Sequence, residues 1–248
     1  MIVRRSHAEI ETMREAGRVT ARALRSVGDA VAAGVSTAHL DEIAAQVIAD
    51  AGARPAFKGY HGFPATICAS INNVVVHGIP GPARLVDGDI ISVDVGAIVG
   101  GYYGDSARTF PVGEVDPEVA RLLDVTKESL EAGMCKCVPG MRLYDISAAI
   151  QRVAEGAGFS IVREYVGHGI GRQMHEEPQV PNYGTAGRGP TLQPGMVLAI
   201  EPMVNAGGAA VRQLDDGWAV VTADGKCSAH FEHTVAITED GPLVLTLE

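Results

Sequence analysis

No apolar run in this 248-residue chain approaches the roughly 20 residues that a membrane-spanning helix needs. Its first residues, Met1-Ile2-Val3-Arg4-Arg5-Ser6, are partly basic but lack the apolar core of a signal peptide, so a cytoplasmic location is expected. Basic residues are scarce: 20 Lys and Arg against 30 Asp and Glu leave a formal net charge of -10. Phosphate backbones and anionic lipids bind clustered cations, which argues against general nucleic-acid or membrane-surface affinity. Cysteine is sparse as well. The four are Cys68, Cys135, Cys137 and Cys227, and Cys135-Lys136-Cys137 lacks the two-residue spacer of a zinc knuckle or redox pair, so all read as reduced thiols.

What the chain does have is apolar content, 46% of residues, enough for a substantial core in one large domain or two small ones. Ser6-x-x-Glu9 is a capping box, followed by Ile10, Met13, Gly17, Thr20, Leu24, Val27 and Val31 at helical spacing; this predicts a long first helix ending near Gly34. A second helix carries Leu40, Ile43, Ala44, Val47 and Ile48 and stops at Gly52. A third opens with Asp116 as cap and Pro117 in the first turn. A fourth uses Ile146, Ala149, Ile150, Val153 and Ala157 and stops at Gly158.

The two helix pairs are related. An offset of 106 to 107 places Gly34 on Gly140, Val47 on Val153 and Ala51-Gly52 on Ala157-Gly158, and it carries the apolar run ending in Asp94 onto the run ending in Glu201. His77-Gly78-Ile79 and His168-Gly169-Ile170 match at a shorter offset of 91. Apart from chance likeness, the reading is one domain of two diverged halves, about 6–112 and 113–240. Each half would pack helices on an antiparallel sheet, so that recurrent carboxylates face one another across a cleft. The second copy is imperfect, since Asp105 falls on Arg212.

Asp94 and Glu201 lie in apolar runs, and Glu232 just precedes Thr234-Val235-Ala236-Ile237. Carboxylates buried in such surroundings must be protonated, paired with cations or bound to metal. Between Asp94 and Asp105 the chain reads as a strand end, a Gly-rich turn and a strand start, a hairpin that brings both carboxylates to one end of a site. Alone, Asp105 reads as a turn residue and His168 as a structural histidine. Together with Asp94, Glu201 and Glu232 they form a different set: four carboxylates whose charge two divalent cations neutralise, and one imidazole. That is the make-up of a two-metal hydrolytic site. Oxygen-rich ligation with one imidazole suits Co, Mn, Fe or Zn. The segment Gly167-His168-Gly169-Ile170-Gly171 lacks dinucleotide-loop spacing; its glycines permit close backbone approach and leave His168 projecting.

These segments occur with Ser70-Ile71-Asn72-Asn73, Val76-His77-Gly78-Ile79-Pro80, Gly104-Asp105, His175-Glu176-Glu177-Pro178, Ala199-Ile200-Glu201-Pro202-Met203 and Phe231-Glu232-His233-Thr234. In this order, and nearly end to end, the chain resembles the short-form type I bacterial methionine aminopeptidases. The resemblance implies an α+β, duplicated pita-bread fold: a pseudo-twofold antiparallel sheet covered by helices. It implies removal of the initiator methionine from nascent proteins and peptides with a small second residue, by attack of a metal-bound hydroxide. Two divalent ions follow from it, Asp94 holding one, His168 and Glu201 the other, and Asp105 and Glu232 bridging both. Glu201 would shuttle a proton. His77 and His175 match the family's substrate-contacting histidines, His175 facing the oxyanion; out of context both would read as surface or core residues. Tyr60, Phe63, Cys68 and Trp218 match its methionine pocket, although each alone could be ordinary core. Phe57 departs from the cysteine common there and would narrow that pocket. His233 follows Glu232 and is expected on the opposite face; His7, His39, His61 and His230 receive no role.

Proline-specific peptidases of similar fold are the rival reading. They usually carry an extra N-terminal domain, for which the early first helix leaves no room. A non-catalytic binding module of this fold would have lost a ligand or become basic, and neither has happened. A monomer in transient contact with ribosomes is expected.

Overall fold

The computed structural model describes residues 1–248. Ser6 opens the first helix, α1 (His7–Ala30): its hydroxyl accepts from the Glu9 amide, while the Glu9 carboxylate accepts from the Ser6 amide at 2.9 Å. Ile10, Met13, Gly17, Thr20, Leu24 and Val27 form its buried stripe, as their spacing predicts. The helix stops at Ala30, short of Gly34, because the chain turns extended at Val31; Gly34, at a φ of 88°, then donates its amide to Leu85 at 2.7 Å. Helices α2 (Thr37–Asp50), α3 (Pro117–Met134) and α4 (Leu143–Gly156) follow. Asp116 caps α3 by accepting from the Glu118 amide at 2.8 Å, with Pro117 in the first turn where its missing N–H costs nothing.

Two antiparallel sheets carry the molecule. In the first, Ile90–Val99 pairs with Arg54–Pro55, Ile67–Ile71 and Tyr102–Pro111. In the second, the strand order is Gly241–Val244, His233–Thr238, Val197–Ile200, Gly167–Gly169, Glu176–Val180. Both place a central strand between one earlier and one later in sequence. Two three-stranded sheets flank them.

The core divides in the same way. Val27 of α1 and Leu40 and Ile48 of α2 pack with Ile67, Ile91, Val93 and Val95, whereas Leu122 of α3 and Ile146 and Ile150 of α4 pack with Leu198, Ile200, Val235 and Ile237. Each such fully buried aliphatic side chain contributes about 1.5–3 kcal/mol of transfer free energy. Truncating Ile150 to Ala would cost about 2–5 kcal/mol.

A polar seam joins the sheets. The Asp105 amide donates to Thr234 Oγ1 at 3.1 Å, Thr234 Oγ1 donates to the Asp105 carbonyl at 2.8 Å, and the Glu232 amide donates to Ala107 at 2.8 Å. On the other side of this seam strand α1 comes so near that a Cβ on Gly104 would lie 2.7 Å from the Gly17 nitrogen. Thr20 Oγ1 ties that contact to the Gly104 carbonyl at 3.1 Å.

Candidate metal centre and pocket

Gly100 and Gly101, at φ values of 58° and 80°, form the two-residue turn between Ile90–Val99 and Tyr102–Pro111. The register sets Gly96 opposite Asp105 and Cys68 opposite Asp94. Because side chains alternate along a strand, Asp94 and Asp105 are diagonal neighbours on one face, with Cys68 beside them. Glu201 and Glu232 sit one residue outside paired strand ends, since Ile200 opposes His233 and Pro202 follows Glu201. The seam then brings the two sheets' carboxylates together.

His168 enters from Gly167–Gly169. A Cβ on Gly167 would lie 2.4 Å from the Ala199 carbonyl and one on Gly169 2.2 Å from that of Glu177, so both glycines are required for this close pairing. Ligand atoms of Asp105, His168 and Glu232 lie within 4.8 Å of one another. His168 Nε2 is 3.6 Å from Glu201 Oε1 and 3.9 Å from Asp105 Oδ2. Its Nδ1 is 2.9 Å from the Gly169 carbonyl, which can only accept, so we assign the ring proton to Nδ1 and the lone pair to Nε2.

The electrostatics are unfavourable without a cation. Burial pushes the Asp94 carboxyl up to about 7 and that of Glu201 to about 8. Burial, reinforced by the neighbouring carboxylates, drives Asp105 and Glu232 well above the usual range. Burial also lowers His168 to about 3, which leaves a neutral ring aiming a lone pair at carboxyl oxygens. Asp94 Oδ1, Asp105 Oδ1 and Glu232 Oε1 are buried with no hydrogen-bond partner. Buried acceptors facing one another without donors are what a divalent cation satisfies, and this donor set fits one.

These groups floor a cavity of about 260 Å³. All eleven side chains singled out in the sequence line it: the five just described, His77, His175, Tyr60, Phe63, Cys68 and Trp218. Phe63 and Trp218 meet edge-to-face with centroids 5.0 Å apart, and Cys68, its thiol held neutral by burial, closes the base. The Tyr60 hydroxyl lies 2.8 Å from His175 Nδ1, and the His175 ring lies 4.3 Å from that of His168. Burial lowers His77 to about 4, and His175 below its usual value, so both rings are neutral. Larger grooves of about 550 and 620 Å³ lie elsewhere; in the first, charges pair among themselves, as Arg25 does with Glu248 at 2.7 Å.

The protein-family comparison matches residues 11–239 to metallopeptidase family M24. The chain belongs to this family. Among M24 relatives, a methionine aminopeptidase of Clostridium perfringens is 52% identical over 100% of this chain and 99% of its own length. Methionine aminopeptidase 1 of Bacillus subtilis is 54% identical over 99% of each. The crystal structure of a Thermotoga maritima methionine aminopeptidase superposes at a TM-score of 0.98, with 46% identity and full coverage of both chains. A Pyrococcus furiosus prolidase, 22% identical with a TM-score of 0.80 over 99% of this chain and 66% of its own, shares the fold. The M24 pita-bread fold expected from the sequence is thus the fold present.

One expectation from the internal repeat needs correcting. The strand that pairs with Ile90–Val99 as Gly167–Gly169 pairs with Val197–Ile200 is Ile67–Ile71, so His168 and His77 do not occupy equivalent places despite their similar tripeptides. His77 instead sits at a φ of 63° just after Val74–Val76. His233 does face away, with Nδ1 2.8 Å from Thr246 Oγ1. Three residues given no role from the sequence also belong to this region. Met174 and His61 line the cavity with Phe57, and buried His230 places Nε2 3.6 Å from Glu201 Oε2. A lone Met in a polar segment gives no periodic signal, whereas His230 lies two residues before Glu232, a spacing that strand alternation turns to one face.

Proposed function

We propose that this protein removes N-terminal methionine from nascent proteins and peptides that have a small second residue, as a metal-dependent exopeptidase. The reading is carried by one observation: a single cavity with carboxylates and imidazoles at its floor and Phe57, Phe63, Met174 and Trp218 around it. Those walls suit an unbranched thioether, which gains polarizable contacts against aromatic edges.

Asp94, Asp105, His168, Glu201 and Glu232 would hold two divalent ions, with Asp105 and Glu232, one from each side of the seam, shared between them. When bound, such ions polarise a carbonyl and lower the pKa of water. Glu201 takes a proton from the attacking water at a carboxylate oxygen and delivers it to the leaving amine, a role open to a group that keeps 14% of its side chain exposed to the cavity. With the Tyr60 hydroxyl assigned as donor to His175 Nδ1, His175 Nε2 carries a proton and donates it to the developing oxyanion. His77 orients the scissile amide. The cavity volume, similar to one side chain plus a peptide unit, limits the substrate to one residue before the cut. We further propose a cytoplasmic monomer working beside ribosomes, its halves, about 6–112 and 113–240, being related by duplication.

The test compares methionine release from Met-Ala-Ser with cleavage of an Ala-Pro peptide, using chelator-treated protein with and without Mn or Co. Methionine release restored only by metal supports the proposal. Preferred Ala-Pro cleavage moves the protein to a proline-specific role, and no turnover with any metal leaves a binding module.

A further inference from the structure

His230 ends the strand Ser228–His230, two residues before Glu232, and is 2% exposed. Its backbone is held on both sides by one hydroxyl. The His230 amide donates to Thr109 Oγ1 at 2.8 Å, and Thr109 Oγ1 donates to the His230 carbonyl at 2.9 Å. That uses the only Thr109 proton, so Ser92 Oγ, 2.8 Å away, is the donor in the remaining contact. Cross-strand pairing with Met203 fixes the other edge.

So firmly held a residue nevertheless leaves Nε2 buried with no hydrogen-bond partner, 3.6 Å from Glu201 Oε2. Glu201 Oε1 lies on the opposite side, 3.6 Å from His168 Nε2. The carboxylate is therefore flanked by two imidazoles, one per oxygen. His168 presents a lone pair. Once a bound cation holds Glu201 as a carboxylate, a second lone pair from His230 would repel it, so in the loaded site a ring proton belongs on Nε2, where it points at Oε2. The present separation exceeds a hydrogen bond by a few tenths of an ångström, a gap that hydrogen bonds in unliganded sites commonly close on loading.

We propose that His230 is a positioning residue: its Nε2–H holds Glu201 Oε2 and so fixes the orientation in which Glu201 Oε1 serves the metal centre. The inference rests on the metal-site reading above. A donor that hydrogen-bonds the free oxygen of a metal-ligating carboxylate orients that ligand, and its loss changes metal affinity by about 10–100-fold.

The test is calorimetric titration of Mn into chelator-treated full-length protein, comparing the native chain with His230→Gln, which keeps an N–H donor, and His230→Leu, which fills similar volume without one. Expected are a Gln variant within about threefold of native affinity and a Leu variant about 10–100-fold weaker. Equal affinity of the Leu variant would overturn the proposal, and so would a Gln variant as weak as the Leu one, since the N–H would then not be the operative group. If the Leu variant melts earlier than native protein, Thr109→Val replaces it: this keeps the ring but removes both backbone anchors, and unchanged affinity there counts against the proposal. A native chain that takes up no Mn overturns the metal-site reading itself, an outcome separate from any difference among variants.

Discussion

The floor and the walls of the cavity are built by different means. Asp94 and Asp105 are set by strand register, Glu201 and Glu232 by adjoining strand ends, and Asp105 and Glu232 are bound across the seam by backbone and Thr234 hydrogen bonds. The walls come mostly from connecting segments: Phe57, Tyr60 and Phe63 surround the short helical turn Tyr60–Gly62, and Trp218 follows a turn in which Asp216 accepts its amide at 2.8 Å. Moving a floor residue means disturbing a sheet; moving a wall residue means altering a loop. Metal chemistry in this protein is thus tied to the fold, and side-chain preference is separable from it.

The strongest test of that separation is Asp105→Asn. If the floor acts as one unit, turnover and metal uptake disappear together; full activity with Met-Ala-Ser would break the bridging assignment. Next is His175→Ala, which leaves the carboxylates untouched and, on the proposal that His175 donates to the oxyanion, should lower kcat by roughly 10²–10³ while Mn affinity stays near native. An unchanged kcat would return His175 to a purely structural part. Trp218→Ala probes the wall alone: kcat/KM for Met-Ala-Ser should fall about 10-fold, the scale of a lost apolar contact, with Mn affinity unaltered in the same preparation.

The smallest effect concerns the floor's support. Glu9 accepts from the Tyr102 hydroxyl at 2.6 Å and from the Ser6 amide at 2.9 Å, and these bonds, with Arg5 nearby, hold its carboxyl down to about 2 from an ordinary 4.5. Tyr102 begins the strand that carries Asp105. A lowered folded-state pKa means that the unfolded chain binds the proton first. The stability Glu9 adds is therefore complete above about pH 4.5 and is lost as pH falls toward 2. Denaturant melts between those pH values should show a shallower acid loss for Glu9→Gln than for native protein, and parallel curves would remove Glu9 from the support of the floor. Its side chain is partly exposed, so the difference should be modest.

Much of the floor is legible in the sequence. Carboxylates in apolar runs are costly enough to announce themselves, and the Gly100-Gly101 hairpin follows from turn chemistry. The four helices were visible through caps and spacing, which are local. Less was visible where contacts join distant parts of the chain: Thr234 meets Asp105 across 129 residues, and His230 meets Thr109 across 121. No spacing rule records such pairs. Met174 was invisible for a related reason, since one side chain entering a cavity leaves no period. The likeness of His77-Gly78-Ile79 to His168-Gly169-Ile170 misled because three residues are too few to fix a strand's place in a sheet.

Gly104 has a bearing on how this chain tolerates change. It sits one residue before Asp105, with α1 pressed against it so closely that a single added carbon would meet backbone atoms of Ala16 and Gly17. In a survey of every single substitution, scored by methionine release, Gly104 should rank among the most intolerant positions beside its acidic neighbour. Such a map would mark it as a working residue, although what it contributes is unoccupied space.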